Sequence, residues 1–548
     1  GSIAELESLS GQTGITDLHP EHIDHIKIPS RQGRGMLSRV SGVLDCWFES
    51  GSASFAQFHY PFENMNAIHP DRDYLVDFIT ESKDQTRGWF YTLTVLATAL
   101  FDKPAFHNVI VTGIVNGTDG QKMSKHKKNY PDPNIIINKY GADTLRFYLL
   151  STPVVKAESV KFNEDDLYKI QQNSISKVYN MTLFLLEKIK VYQLEYPDDH
   201  IILPQISSLD EIIDPLNKWI VNKTIILVGQ LAQCMDNYLV TYIAPKILTH
   251  IDQLTNWYLK MSRERMKGTS AKYFEKVSQN IWKELLETLL FVLVMLTKAL
   301  APIMPFITET IYDMLRPYIP GALESVHFES YPDTDTFVCD YELEKKFSLV
   351  QQLIVQIRNL REKCKLEVRR PLLLAKIGSV DINNLHVIED VLSYIKSEAN
   401  VYDIELIDID HMIKPTVRAN MVVLKTYLKQ NDHIKFIKHI LDFIDQMTPE
   451  LIVQTMINGQ IIEPQTGIIL DHNHLDINYE LVSMDSDLVV SFRNNMYVEI
   501  DITENDKIKS EHLTRSIKSV IQRHRNKCHL EPWQTITLYY HAETKSTL

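Results

Sequence analysis

The sequence has no CxxC pair, few glycines and no long uninterrupted apolar run, and each absence excludes a class of protein. Its five cysteines, Cys46, Cys234, Cys339, Cys364 and Cys528, lie far apart. Neither a disulfide framework nor a clustered cysteine zinc site is expected, and a reducing compartment is the default. Glycine (18) and proline (22) are too scarce in 548 residues for a collagen-like or low-complexity chain. The longest apolar stretch, Leu285–Leu300, is interrupted by Glu287 and Lys298, so it reads as a buried helix and no membrane contact is expected. Basic residues are outnumbered 57 to 70, for a net charge of −13. That argues against holding nucleic acid by bulk charge but leaves room for a local basic groove. No signal peptide or initiator Met opens the chain, which starts Gly1-Ser2-Ile3 and is expected to be a piece of a longer protein.

What is present is an ordinary globular composition, 44% apolar and 23% charged, with a length that suggests about three or four domains. Residues 1–40 are mixed and end in a turn-rich run, Ile28–Gly35. From 41 to 160 the pattern alternates. Leu75–Ile79 predicts a buried strand, Trp89–Phe101 an apolar helix and Asn108–Gly113 a second strand, an α/β layout that binds ligands at the carboxyl edge of its strands. From 161 to 370 apolar residues recur at three- and four-residue spacing, in segments 171–190, 215–240, 242–266, 271–300 and 341–365. This predicts a helical bundle. Residues 371–548 return to short apolar runs, Leu372–Ile377, Val401–Ile409, Leu488–Phe492, Tyr497–Ile502 and Ile536–Tyr540, with helices at 384–398 and 506–526. That is an α+β region.

One element is repeated. The run Ile357–Glu367 recurs 164 positions later as Ile521–Glu531, with Arg361, Lys363, Cys364, Leu366 and Glu367 matched by Arg525, Lys527, Cys528, Leu530 and Glu531. Each copy reads as a basic helix end leading into a strand, at Leu372 and at Ile536. Lys and Arg suit a helix C-terminus, so a structural joint used twice is the plain reading and a duplicated RNA contact the sharper one.

The segment Gly113–Lys128 carries the most chemistry. A predicted strand runs into a loop with Gly113, Gly117 and Gly120, then Lys122, Lys125, His126, Lys127 and Lys128 within seven positions. Such a loop can approach a polyphosphate and neutralise the charge that develops in a phosphoryl or nucleotidyl displacement. A solvated basic loop has the same composition. Trp47 and Trp89 could wall an apolar pocket or serve as core aromatics. Glu81 and Asp84 could accept hydroxyl hydrogen bonds, or could simply favour a helix N-terminus.

Motif order decides among these. Lys122-Met123-Ser124-Lys125 resembles the second signature of class I aminoacyl-tRNA synthetases. Asp45-Cys46-Trp47-Phe48-Glu49-Ser50-Gly51 resembles a block of their isoleucine, valine and leucine members. Glu81-Ser82-Lys83-Asp84-Gln85-Thr86-Arg87-Gly88-Trp89-Phe90 resembles the isoleucine type in particular, and Gly141–Arg146 is the usual sequel of the lysine loop. Asn129-Tyr130-Pro131-Asp132-Pro133 resembles the eukaryotic cytosolic form, and the blocks follow one another in family order.

The resemblance implies the second half of a Rossmann-type catalytic domain, a helical anticodon-binding bundle and an α+β C-terminal region. It implies catalytic roles for Lys122, Ser124 and Lys125, with Lys125 on ATP. It further implies adenylate contacts for Glu81 and Asp84, and isoleucine contacts for Trp47, Gln85 and Trp89. Ser82 stands where the family has Gly, which matters if the backbone must take φ > 0 there. Asn256-Trp257-Tyr258 with Ser262–Arg265 resembles the family's anticodon-side pattern, implying tRNA contacts for Trp257, Arg263 and Arg265. The implied ligands are L-isoleucine, ATP with Mg2+, and isoleucine tRNA. No zinc site is evident, the implied location is cytoplasmic, and multi-synthetase contacts would fall on the C-terminal region. The family's His-x-Gly-His motif occurs nowhere in the chain, so residues 1–40 read as the return from an editing insertion. The chain on its own is expected to be inactive. A tRNA-binding module without catalysis is the alternative.

Overall fold

The computed structural model describes residues 2–539 other than 43–44, 69–70, 125, 127–128, 269–275, 472, 483–488 and 531–533. The chain forms two compact units. The first comprises Gly1–Pro204, Thr224–Gln253 and Leu289–Thr336, the second Gln205–Lys223, Leu254–Thr288 and Phe337–Leu548.

In the first unit a short helix α1 (Cys46–Gly51) is capped by the Asp45 carboxylate, which accepts from Trp47 N at 2.7 Å. Strand β1 (Val76–Ser82) leads through one 3₁₀ turn, Lys83–Arg87, into helix α2 (Trp89–Phe101) and strand β2 (Phe106–Thr112). No Gly or Pro interrupts α2, and Asp102 ends it in the left-handed region at φ 52°. The two strands pair in parallel from Val76↔Phe106 to Ser82↔Thr112. Leu75, Ile79, Phe90, Leu93, Ala97 and Ala105 form their core. The expected buried strand is covered on one face only: Phe78 is 39% and Val109 40% exposed. Among the described residues no third strand joins this pair.

A second parallel pair, β3 (Val115–Asn116) and β4 (Val160–Lys161), brackets the lysine loop and helix α3 (Ala142–Ser151) over Ile136, Tyr148, Phe162 and Leu167. The helix predicted over 171–190 is in fact two, Glu164–Asn173 and Ile175–Glu195. The break falls at Ser174, whose hydroxyl donates to Ile170 O at 2.6 Å while its backbone leaves helical geometry. Helices Ile243–Asp252 and Pro305–Leu315 also belong to this unit.

In the second unit helix α4 (Tyr341–Lys363) covers a four-stranded sheet. Its strands are β5 (Leu372–Ser379), β6 (Val401–Ile407, after helix α5, Leu392–Ala399), β9 (Val489–Arg493) and β10 (Met496–Ile500), in the order β9–β10–β5–β6. Leu353, Ile354, Ile357 and Leu360 of α4 are fully buried. Gln356 donates to Ser491 O at 3.0 Å and Met496 O at 3.1 Å, so one side chain satisfies two carbonyls of the hairpin beneath it. Between β6 and β9 lies an inserted module. Its strands β7 (Ile413–Ala419) and β8 (Leu475–Leu481) pair antiparallel from Ile413↔Leu481 to Ala419↔Leu475. Leu424, Leu428, Ile440, Ile444, Ile468, Leu470 and Leu475 give it a core of its own.

The repeated run builds the same helix ending twice, first at the end of α4 and again at the end of helix α6 (Asp506–Lys527). Lys365 and His529 both take positive φ (53° and 52°). Leu366 N donates to Arg361 O at 2.9 Å and Leu530 N to Arg525 O at 3.1 Å. This is the joint that the sequence suggested. Beyond it the copies differ: Leu372 enters β5, whereas the strand expected at Ile536–Tyr540 is absent from the described residues 534–539. A strand needs a ladder partner, and none reaches this segment.

Candidate adenylate site and anticodon-side cluster

Three of the singled-out residues, Trp47, Gln85 and Trp89, meet beyond the carboxyl end of β1. Gly88 lies where a Cβ would stand 3.0 Å from the Trp47 indole and 2.7 Å from Gln85 Oε1, so only glycine lets α1 and the start of α2 approach this closely. Gln85 Oε1 accepts from Trp89 N at 3.0 Å, and Trp89 Nε1 donates to Ser50 O at 2.9 Å. The second bond fixes the Trp89 indole against α1, which carries Trp47. The Gln85 oxygen keeps a second lone pair for an incoming ammonium group. Trp47 remains 43% exposed and Trp89 half-buried, a wall with an open side.

Glu81, exposed, closes β1, and Asp84 stands exposed on the 3₁₀ turn. The Ser82 hydroxyl beside Asp84 holds its carboxyl below the ordinary range, and the Lys122 charge adds to that effect. Ser82 has φ −76°, ordinary extended backbone, so the position makes no demand that only glycine could meet. Lys122 pairs with Asn116 across an antiparallel bridge, and Ser124 follows with its N–H donating to Asn129 Oδ1 at 3.0 Å. Lys125 lies outside the described residues.

Sequence reasoning missed the work of Asp143 and Arg146. Buried Asp143 accepts from Ile307 N at 2.6 Å, in the first turn of helix Pro305–Leu315, and burial raises its pKa. Arg146 donates to Ile303 O at 3.0 Å and Pro302 O at 3.1 Å. Together they bind the helix after the lysine loop to the helical part of the same unit. The one available signal was an Asp and an Arg three positions apart in an otherwise apolar helix.

In the second unit Trp257 sits half-buried on a π-helical segment, Gln253–Leu259, with the Arg358 guanidinium 6.0 Å from its ring centre. Arg358 pairs with Glu398 at 2.7 Å, and Lys260 reaches that carboxylate at 3.9 Å. Arg263 is exposed. Arg265 instead turns inward, pairing with Asp214 and lying 5.5 Å from the Tyr394 ring centre. Asp214 also accepts from Tyr394 Oη at 2.8 Å and Leu216 N at 2.9 Å. Glu284 joins by accepting from Asp214 N and Asn217 Nδ2, each at 2.9 Å. Fully buried Tyr258 donates to Asn217 Oδ1 at 2.9 Å, and burial drives its phenol far above the usual range. The three anticodon-side candidates therefore lie on one segment, with Arg265 facing away from solvent.

Residues 2–161 match the family described as tRNA synthetases class I (I, L, M and V), and residues 217–376 the anticodon-binding domain of tRNA ligase. Over 565 residues the chain is 37% identical to the cytoplasmic isoleucine–tRNA ligase of Saccharomyces cerevisiae, covering 98% of this chain and 50% of that protein. The cytoplasmic isoleucine–tRNA ligase of Mus musculus is 36% identical over 556 residues, covering 100% and 43%. Nearly the whole chain is thus similar to eukaryotic cytoplasmic isoleucine–tRNA ligases at about 35% identity. It spans about half the length of the curated relatives it matches. Among solved structures, the ternary complex of Agrobacterium radiobacter K84 LeuRS with tRNA and LeuAMS is similar at 18% identity and a TM-score of 0.40, covering 56% of this chain and 36% of that one. Along the chain, a segment that matches the class I synthetase model is followed by one that matches the anticodon-binding model. Among the described residues no helix is long and apolar enough to cross a membrane, and no group of three or more His, Cys, Asp or Glu side chains could hold a metal ion.

Proposed function

We propose that the protein containing this chain charges isoleucine tRNA with L-isoleucine in the cytoplasm. The isoleucine carboxylate attacks the α-phosphorus of ATP and pyrophosphate leaves. A ribose hydroxyl of the tRNA end then attacks the carbonyl carbon of the adenylate, and AMP leaves. The observation that carries this reading is the cluster at the end of β1, where Trp47, Gln85 and Trp89 are locked together beside Asp84 and Lys122. The indoles would bound the aliphatic side chain, Gln85 would accept from the ammonium group, and Glu81 and Asp84 would receive ribose hydroxyls. Lys122, Ser124 and Lys125 would meet the phosphates as charge develops. Mg2+ would arrive with ATP: the nearby donors are hard carboxylate oxygens, and an ion carried mainly by phosphates needs no protein cage.

On this reading residues 1–40 return from an editing insertion and 41–160 form the second half of a Rossmann-type catalytic domain. Residues 161–370 form the anticodon bundle, and 371–548 an α+β domain whose surface would take contacts with other synthetases. Trp257 would stack on an anticodon base and Arg263 would meet phosphate. Arg265 would serve by position, holding the segment through Asp214. The test is isoleucine-dependent ATP–pyrophosphate exchange by the full-length protein. Lys125→Ala should slow it on the order of 100-fold or more, with isoleucine affinity nearly unchanged. Unchanged turnover with a raised isoleucine KM would overturn the assignment, and tRNA binding without any exchange would favour a binding module.

A further inference from the structure

The lysine loop is closed on itself by one side chain. A tight turn opens it: Gly120 N donates to Gly117 O at 2.9 Å, Gly117 N to Gln121 O at 2.8 Å, and Gly120 takes φ +80°. The chain then passes Lys122 and Ser124 and returns at Asn129. There the Asn129 amide uses both ends. Its Oδ1 accepts from Ser124 N at 3.0 Å, and its Nδ2 donates to Lys122 O at 3.2 Å and to the Asp119 carboxylate at 3.1 and 3.2 Å. The Asn129 carbonyl accepts from Thr118 N at 3.3 Å. Asn129 packs so near the turn that a Cβ on Gly117 would lie 2.3 Å from its backbone oxygen and 2.8 Å from Nδ2. Gly117 is therefore a glycine of close approach, since its φ is not in the left-handed region.

We infer that Asn129 is a positioning residue for adenylate formation, a clasp that sets the backbone of Lys122 and Ser124 so that Lys122 meets the nucleotide phosphates in one geometry. Asn129 itself touches no reacting atom. Asn suits the task because its carboxamide offers an acceptor and two donors in one plane, matched to a backbone N–H, a backbone carbonyl and a carboxylate. Asp lacks the donors and would set two like charges together against Asp119. Several individually modest bonds act together to hold Lys122 and Ser124 against Asn129. The inference rests on the adenylate reading, and its test separates the two.

Trypsin cuts after lysine, and the loop offers Lys122, Lys125, Lys127 and Lys128. In the 548-residue chain, Asn129→Ala and Gly117→Ala should each speed cleavage within 122–128 about tenfold, because each removes the clasp by a different route. In the full-length protein, Asn129→Ala should lower the turnover of ATP–pyrophosphate exchange about tenfold, with the isoleucine KM within about twofold of wild type. Asn129→Asp should be worse than Asn129→Ala, and Asp119→Asn added to it should recover part of the loss, since donor and carboxylate then exchange places while the Lys122 carbonyl stays without its donor. Unchanged cleavage in both single variants, or a double variant no better than Asn129→Asp, would overturn the clasp. If Lys125→Ala leaves exchange intact, the adenylate reading fails while the cleavage rates still judge the clasp.

Discussion

Replacing Asp214 by Asn should destabilise the second unit by about 3 kcal/mol. The carboxylate is 13% exposed, and it balances the Arg265 charge, whose side chain is 25% exposed. It also accepts from Tyr394 Oη at 2.8 Å, Leu216 N at 2.9 Å and Asn217 N at 3.2 Å. Asparagine keeps one oxygen for the backbone donors, so the helix start at Pro215 survives. What it removes is the negative charge, leaving a guanidinium beside Tyr394 and Tyr258 with too little around it to balance it. Breaking a buried pair from one side costs roughly 3–5 kcal/mol, and the quarter exposure of Arg265 argues for the lower end. The assay is equilibrium urea unfolding of the 548-residue chain, followed by a probe in the second unit such as Trp282 fluorescence, because two units need not unfold in one step. Arg265→Met and the double variant complete a cycle in which removing both charges should cost less than removing the carboxylate alone. A loss within about 0.5 kcal/mol for Asp214→Asn would refute the argument, since that is what an ordinary surface substitution costs.

The 548-residue chain alone should show no isoleucine-dependent ATP–pyrophosphate exchange, because it has no His-x-Gly-His motif; exchange above background would contradict this. Its affinity for isoleucine tRNA should fall steeply between low and moderate salt, and Arg263→Ala should reduce both affinity and salt slope. Equal binding to a tRNA with an altered anticodon, untouched by that change, would leave the bundle a scaffold. Tyr331 gives a pH prediction: its hydroxyl donates to Val228 O at 2.9 Å, and burial pushes the phenol up to about 12. The unfolded chain releases this proton from about pH 10 while the folded chain keeps it. The stability it contributes is therefore complete below pH 10 and lost towards pH 12. Tyr331→Phe should flatten that alkaline slope in a pH series of melts.

Local pattern made much of the molecule legible. Trp89–Phe101 reads as a helix because it is long, apolar and free of breakers, and the structure agrees to the residue. The strands at 76 and 106 differ from expectation only at their ends. At the site, block order assigned Trp47, Gln85 and Trp89 to one ligand, and the bonds that join Gln85, Trp89 and Ser50 were not expected. The break at Ser174 was unreadable because neither spacing nor residue type marks it: Thr182 and Thr297 make the same hydroxyl-to-carbonyl bond inside unbroken helices. The segment 242–266 looked like one helix because apolar spacing scarcely distinguishes an α-turn from the π-turn at Gln253–Leu259. Arg265 was read as a phosphate contact by its charge, and its partners Asp214 and Tyr394 are 51 and 180 positions distant from Arg265 and Asp214 respectively. Nothing local identifies such pairs. Ile536–Tyr540 alternates like a strand, and alternation cannot supply a neighbour.

The way the inserted module joins its sheet has a mechanical consequence. Its chain enters at Ile413 and leaves at Leu481, and these two residues face each other in the ladder, roughly 5 Å apart. A pull on the module is thus delivered to both strands at the same end. An antiparallel pair loaded that way peels open one rung after another, whereas strands drawn from opposite ends must break all their rungs at once. The ladder is therefore weak in tension at the end where the chain enters and leaves. Under strain β7 and β8 would open from the Ile413–Leu481 end, and the peel would reach the module's apolar centre only at its far end, where Leu475 faces Ala419.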